Sequence, residues 1–420
     1  MFPRLGLLVA VCVAQALAAP PATVSDLVTA GKRPALPDFS RYIDMRALSD
    51  KDLRLADPTR RIIFVGDVHG MVHSLHALLD KISYDPTRDV VVHTGDIITK
   101  GADSLGTLEW LSSNGILGVR GNQDQKVIEW RGWIEWVLSQ KGGRKWLDKM
   151  ERKYPDGIPS VRMKTTKKSK KFPIPEDWEF NGEHYQLARN MADEHYQYLL
   201  GLPLNLHLVP LHTFVGHAGV LPMDPTRSPT AKRQPLAHVP EVDHPKPPTQ
   251  LLRLAQEIAV MREIPQNTDP WTKLNVRSIL DDGEVTRDGT EGVPWSNLWN
   301  AIIDRCGGFE STSSMQSSAP QDQVVLQKRE GGVLDRVEPD LRLPCHPASV
   351  VYGHAASRGL DLKRWTKGLD TGCVYGKKLT ALIVGGDRHR HRGVQYDAQG
   401  IEFGENGSAR LASVDCELLE

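Results

Sequence analysis

Five times along this chain a short apolar run ends in glycine, followed at once by a carboxylate, an amide or an imidazole. The five are RIIFVGDVHG at 61–70, VVVHTGDIITKG at 90–101, GILGVRGNQD at 115–124, LHTFVGHAG at 211–219 and VVYGHAA at 350–356. Runs of four to eight β-branched and aliphatic residues read as buried strands. MVHSLHALLDKI and SLGTLEWL, which separate the first three, carry apolar residues at helical spacing. Strand, helix, strand, helix, strand is the order that a mostly parallel sheet with right-handed crossovers requires. The chain is therefore α/β, and each polar group falls just past the carboxyl end of a strand, where such proteins hold ligands.

The rest of the chain is read around that series. The first eighteen residues, MFPRLGLLVAVCVAQALA, have the pattern of a secretory signal with an A-x-A cleavage site, and their apolar run is too short to span a bilayer. Residues 19–60 read as a Pro-rich arm, 61–400 as one large domain with insertions near 160–175 and 221–345, and 401–420 as a tail. The prolines of 221–250 suggest a surface excursion, and the stretch 310–323 a low-complexity loop. KLTALIVGG reads as the last strand, pairing near RGVQYDA. Lys plus Arg and Asp plus Glu both number 52, so no global field attracts nucleic acid or membrane. Neither is an expected partner, and oligomeric state is left open. Once Cys12 leaves with the signal, Cys306, Cys345, Cys373 and Cys416 remain, and four cysteines allow three pairings. Asn406-Gly407-Ser408 is an N-glycosylation acceptor.

Carboxylate, amide oxygen and imidazole together are the ligands of a site for two divalent ions, with one carboxylate bridging and a water or hydroxide between the ions as nucleophile. Asp67 and His69 stand two apart on one strand exit, Asp96 offers the bridge, Asn122 an amide oxygen, and His217 and His354 imidazoles. The same N/O set accepts zinc, manganese, iron or cobalt. Singly, each motif is ordinary turn chemistry or a structural histidine. Together, in this order and each after a strand, they make a metal site.

The order GDxHG, GDxxxxG, GNxx, GHAG and YGHA resembles the calcineurin-like metallophosphoesterases, in their phosphoprotein-phosphatase branch. GDIITKG, with Lys100, and GLDTGCVYGKKLTALIV are more similar to the ApaH-like group, which includes the fungal vacuolar zinc-dependent endopolyphosphatase. The resemblance implies a central β-sandwich flanked by helices, with Asp67, His69 and Asp96 around one ion and Asp96, Asn122, His217 and His354 around the other. It also implies a phosphate clamp at Arg277, whose alternative is an exposed helix charge.

The resemblance has one gap. Where the family carries a histidine as general acid, oriented by an aspartate, this chain has Gln123 and Thr99. Glutamine donates a hydrogen bond but no proton at neutral pH, and general acid help is worth about two to four powers of ten. A serine or threonine alkoxide needs that proton; a phosphate leaving a phosphoanhydride needs it least. Asp124 is a stand-in acid if burial raises it, and otherwise a helix cap. Lys100 is placed to neutralise a phosphoryl oxygen. The basic strip Lys164, Lys167, Lys168, Lys170 and Lys171 reads as a solvated loop or as a track for a polyanion. The expected activity is metal-dependent phosphoanhydride hydrolysis, with inorganic polyphosphate as substrate. Its rivals are a phosphoprotein phosphatase, a diadenosine polyphosphate hydrolase, and a non-catalytic metal-bound phosphate binder in the secretory path.

Overall fold

A computed structural model describes residues 36–163, 172–314, 342–386, 394 and 396–417. The signal segment and the strip Lys164 to Lys171, with Lys167, Lys168 and Lys170, lie outside the described residues. The chain divides into Met1–Asp38 and Phe39–Glu420. Only residues 36–38 of the first unit are described, and every described strand and helix belongs to the second.

Two six-stranded sheets form the centre of that second unit. In the first sheet the order is Ala398–Phe403, Gly407–Asp415, Lys378–Gly385, Arg61–Val65, Asp89–His93 and Leu117–Gly118. The last three run parallel, as the alternating sequence pattern predicts. The other three are antiparallel, which makes the sheet mixed rather than mostly parallel. The second sheet runs Met45–Leu48, Asn205–Leu208, Thr213–Gly216, Ser349–Tyr352, Thr366–Gly368 and Asp361–Leu362.

Side chains alternate between the faces of a strand, so each strand divides its residues between two layers. Ile62, Phe64, Val90, Val92, Leu382 and Leu411 of the first sheet meet Leu206, Leu208, Val215 and Val351 of the second in one buried cluster. Burying each such side chain contributes about 1.5–3 kcal/mol, and the result is the β-sandwich that the resemblance implies. Outside it lie the helices. Helix α1 (Val72–Lys81) buries Val72, Leu75, Leu78 and Leu79 on one stripe and packs on Lys378–Gly385 and Gly407–Asp415. Helix α2 (Ser104–Ser113) follows the second strand of the series.

The segment read as largely helical holds α3 (Asn122–Ser139), α4 (Gly143–Lys153), α5 (Glu183–Asn190) and α6 (Asp193–Gly201). Their glue is aromatic: Trp130 lies 4.5 Å from Trp178, 5.1 Å from Tyr185 and 5.3 Å from Trp133, and Phe180 lies 4.8 Å from Tyr185, centroid to centroid. On the far side of the second sheet, Phe214, Val350 and Tyr352 pack against Val260 and Met261 of α7 (Thr249–Glu263) and against Trp295, Trp299 and Ile303 of the helix Trp295–Ile303.

Four expectations are corrected. The arm before Arg61, expected to lie on or lead into the domain, is in its described part a member of the sheet, since Met45–Leu48 forms an edge strand parallel to Asn205–Leu208 and Leu48 and Leu53 are buried. The described residues of 221–345 are less an insertion than a layer, because their helices cover the second sheet; even the Pro-rich part buries Leu221, Met223 and Leu236. Lys378–Gly385 pairs with Gly407–Asp415, not with the strand that starts at Ala398. The stretch expected to be a tail is a hairpin, turning through residues 404–406, with Gly404 at φ 64°, between Ala398–Phe403 and Gly407–Asp415. The cysteines pair as Cys306–Cys345 and Cys373–Cys416.

Candidate metal centre

Asp67, His69, Asp96, Asn122, His217 and His354 converge where parallel strands of both sheets end. Asp67, His69 and Asp96 place one ligand atom each within 4.8 Å of one another, and so do Asp96, His217 and His354, with Asp96 common to both groups. The loops that bring them together are tight. Carried on Gly121, a Cβ would meet Asp96 Oδ1 at 2.1 Å, and on Gly353 it would meet Asp67 Oδ1 at 1.9 Å. Three ligands themselves take left-handed backbone, His69 at φ 47°, Asp96 at 46° and His354 at 69°. Such conformations cost on the order of 1–3 kcal/mol each and persist where surrounding packing enforces them.

Every histidine is turned by a backbone carbonyl. His69 Nδ1 lies 3.3 Å from Ile98 O, His217 Nδ1 2.9 Å from Thr94 O, and His354 Nε2 3.2 Å from Asn275 O. Each of these nitrogens donates its proton, so the other nitrogen presents a bare lone pair to the centre. His217 Nε2 then faces His354 Nδ1 at 3.1 Å and Asn122 Oδ1 at 3.0 Å. Lone pairs so opposed are stable only around a cation, and the N/O set fits zinc, manganese, iron or cobalt.

The electrostatics agree. Burial and the nearby carboxylates of Asp370 and Asp96 push Asp67 well above the usual range, and burial likewise raises Asp370. Burial would also raise Asp96, but His217, His69 and the Gln123 N–H at 2.8 Å hold it at about 2. Burial lowers His69 and His354, keeping both neutral and able to ligate. These three buried carboxylates leave the site short of positive charge.

Around the ligands lies a cleft of about 400 Å³, lined among others by Lys100, Gln123, Arg277, Asp370, Tyr375 and Lys377. Lys100 Nζ sits 3.4 Å from His69 Nε2 and 6.0 Å from the Tyr375 ring centre. Arg277 is not on a helix; it precedes the strand Ser278–Ile279, and its two Nη groups donate to Arg287 O and His354 O. Asp124 does not line the cleft. Burial and Asp96 raise it to about 7, yet its oxygens accept from the backbone N–H groups of Gly121 and Ile97, so it caps α3 and ties two ligand loops together. Asp370, Tyr375 and Lys377 were not singled out from sequence. For Asp370 the signal was present, since it follows the strand Thr366–Gly368 as the candidate ligands follow theirs. For Tyr375 and Lys377 there was none.

Behind the bridge, His93 is fully satisfied as a neutral ring. Gly95 N–H donates to its Nδ1 at 3.2 Å, its Nε2 lies 3.1 Å from Tyr198 Oη, and that hydroxyl donates to Ile116 O at 2.9 Å. Burial, with His217 nearby, depresses His93 to about 3.

Residues 60–243 match the calcineurin-like phosphoesterases. Over 91 residues the chain is 34% identical to serine/threonine-protein phosphatase 1 of Salmonella typhimurium, covering 22% of this chain and 42% of that one. It is 43% identical over 67 residues to the symmetrical bis(5'-nucleosyl)-tetraphosphatase of Buchnera aphidicola, covering 16% of this chain and 24% of that one. The chain thus spans less than half the length of these relatives. A cold-active protein-tyrosine phosphatase of a psychrophilic Shewanella superposes with a TM-score of 0.34 and 14% identity over 83% of this chain and 82% of that one, a likeness too slight to carry an argument. Among the described residues no helix is long and apolar enough to cross a membrane.

Proposed function

We propose that this chain, a calcineurin-like metallophosphoesterase, hydrolyses phosphoanhydride bonds and takes inorganic polyphosphate as its substrate. The observation that carries this reading is that Gln123, a hydrogen-bond donor with no proton to give, lines the cleft together with the cations of Lys100, Arg277 and Lys377. Asp67, His69, Asp96, Asn122, His217 and His354 would hold two divalent ions, which would supply Lewis acidity and an activated water. The protein supplies the rest. Lys100, Lys377 and Arg277 neutralise phosphoryl oxygens as charge shifts in the transition state, and a lysine does so as a point charge that tolerates a sliding chain better than a bidentate fork. Gln123 donates a hydrogen bond to the oxygen that departs, enough for a phosphate and too little for an alkoxide.

Manganese- or zinc-loaded protein is expected to shorten long polyphosphate on a gel between acidic and neutral pH. Faster turnover of phosphopeptides under the same conditions sinks the reading in favour of a phosphoprotein phosphatase. Exclusive turnover of dinucleoside polyphosphates, the activity named for one relative, keeps the bond type and corrects the substrate. Binding of polyphosphate without turnover favours the non-catalytic reading. We place the protein in the secretory path, in a vacuole lumen or outside the cell. Two disulfides and an exposed sequon at Asn406 support this. A glycosidase-sensitive mobility shift of the native protein checks it.

A further inference from the structure

Gln123 has a partner that its neighbours in sequence do not reveal. His184, the second residue of α5, places Nε2 at 2.9 Å from Gln123 Oε1. A carboxamide oxygen can only accept, so the imidazole donates there and the Gln123 NH2 group points away from His184. Thr99, at the position where the resemblance implies an orienting aspartate, makes no such contact: its buried hydroxyl has no partner among the described residues. The preceding residue braces the other loop, since Glu183 Oε1 accepts from the backbone N–H of Lys100 at 2.5 Å. Thr99 and Lys100 hold left-handed φ values of 74° and 67° there. Tyr185, next in sequence, packs edge-on against Trp130 of α3, which fixes α5 on the helix that carries Gln123 in its first turn.

We propose that His184 is a positioning residue: it locks the Gln123 amide so that the NH2 group, not the carbonyl, faces the phosphoryl group in the cleft. An unlocked glutamine amide presents either end, and a carbonyl turned toward anionic oxygens repels them. The lock makes Gln123 a dedicated donor. This rests on the phosphoanhydride reading above, and the two can fail separately.

The test uses the full chain, metal-loaded, with tripolyphosphate as substrate. If the unmodified protein does not turn it over, the functional reading fails before His184 is in question. With activity present, His184→Ala is expected to lower kcat about ten- to a hundredfold, the usual range for residues that orient a site, while KM stays within about twofold. His184→Gln, which keeps a donor at the same reach, restores most of the rate. His184→Glu offers only acceptors when ionised, captures the NH2 group and turns the carbonyl to the cleft, so it behaves like His184→Ala even where the alanine variant folds poorly. In a Gln123→Ala background, His184→Ala costs nothing more. The inference is overturned if His184→Glu retains full kcat, or if His184→Ala costs the same factor with and without Gln123.

Discussion

The sandwich and the helical segment from α3 to α6 contribute to one cleft by different means. The sandwich delivers metal ligands, each on a loop that leaves a strand directly, and the loops are locked against one another by glycine contacts and carbonyl-held imidazoles. Among the described residues, the helical segment delivers no candidate ligand beyond Asn122. It instead sets how Gln123 and Lys100 are presented, through His184 and Glu183, and it is held by tilted and edge-on aromatic contacts rather than by a ladder. On the proposed reading, binding the ions and handling the substrate rest on separately built parts, and each part can be damaged alone.

The largest effect is expected on the sandwich side. Asp96→Asn removes the carboxylate shared by both ligand groups, and losing several kcal/mol of metal-assisted stabilisation lowers turnover by more than about a thousandfold. Metal titration of that variant should lose sites as well; unchanged stoichiometry would mean that Asp96 does not bridge. Trp130→Ala attacks the other part. Emptying a site that is 3% exposed costs about 3–5 kcal/mol of stability, read by thermal melting, while a folded fraction at low temperature keeps its metal stoichiometry. Loss of metal along with the helices would erase the distinction.

Gln123→His acts at the seam. Turnover of alkyl phosphomonoesters is expected to rise by about two powers of ten, with polyphosphate hydrolysis changing by only a few fold. An equal rise for both substrates would show that the missing proton limits anhydride cleavage too. The smallest effect is a slope. His93 is held at about 3 against an ordinary 6.5, so between those values the unfolded chain takes up a proton that the folded one refuses. Stability of the metal-free protein therefore falls as pH drops through that window, by up to about 1.4 kcal/mol per pH unit. His93→Gln should flatten the melting-temperature profile there, and an unchanged profile would place the acid sensitivity elsewhere.

Legibility from sequence divides along the same line. Asp67, His69, Asp96, Asn122, His217 and His354 are each announced by the strand before them, because a ligand loop at a strand end is a local event. The hairpin after Ala398 turns at Gly404, whose φ of 64° suits glycine, but the alternation of its two strands is too weak to announce them. Met45–Leu48 carries no strand signature of its own, as only one of its four residues is buried; its pairing is imposed by Asn205–Leu208. His184 lies 61 residues from Gln123, and no spacing rule connects them. Even the buried, raised Asp124 carboxyl that the sequence hinted at does a different job, because its oxygens are taken by backbone donors.

The strand order also governs how the chain can be made. Arg61–Val65 is buried along its whole length, and one of its two edges is covered only by Lys378–Gly385. Asp67 likewise waits for the backbone of His354, which lies 287 residues further on. While the ribosome is still adding the second half, the growing polypeptide carries an apolar strand with an open edge, the surface most prone to stray pairing. Contacts so far apart in sequence form slowly. A cell producing this protein must shield that edge for most of translation, and the group of Asp96, His217 and His354 is complete only once residue 354 has been added.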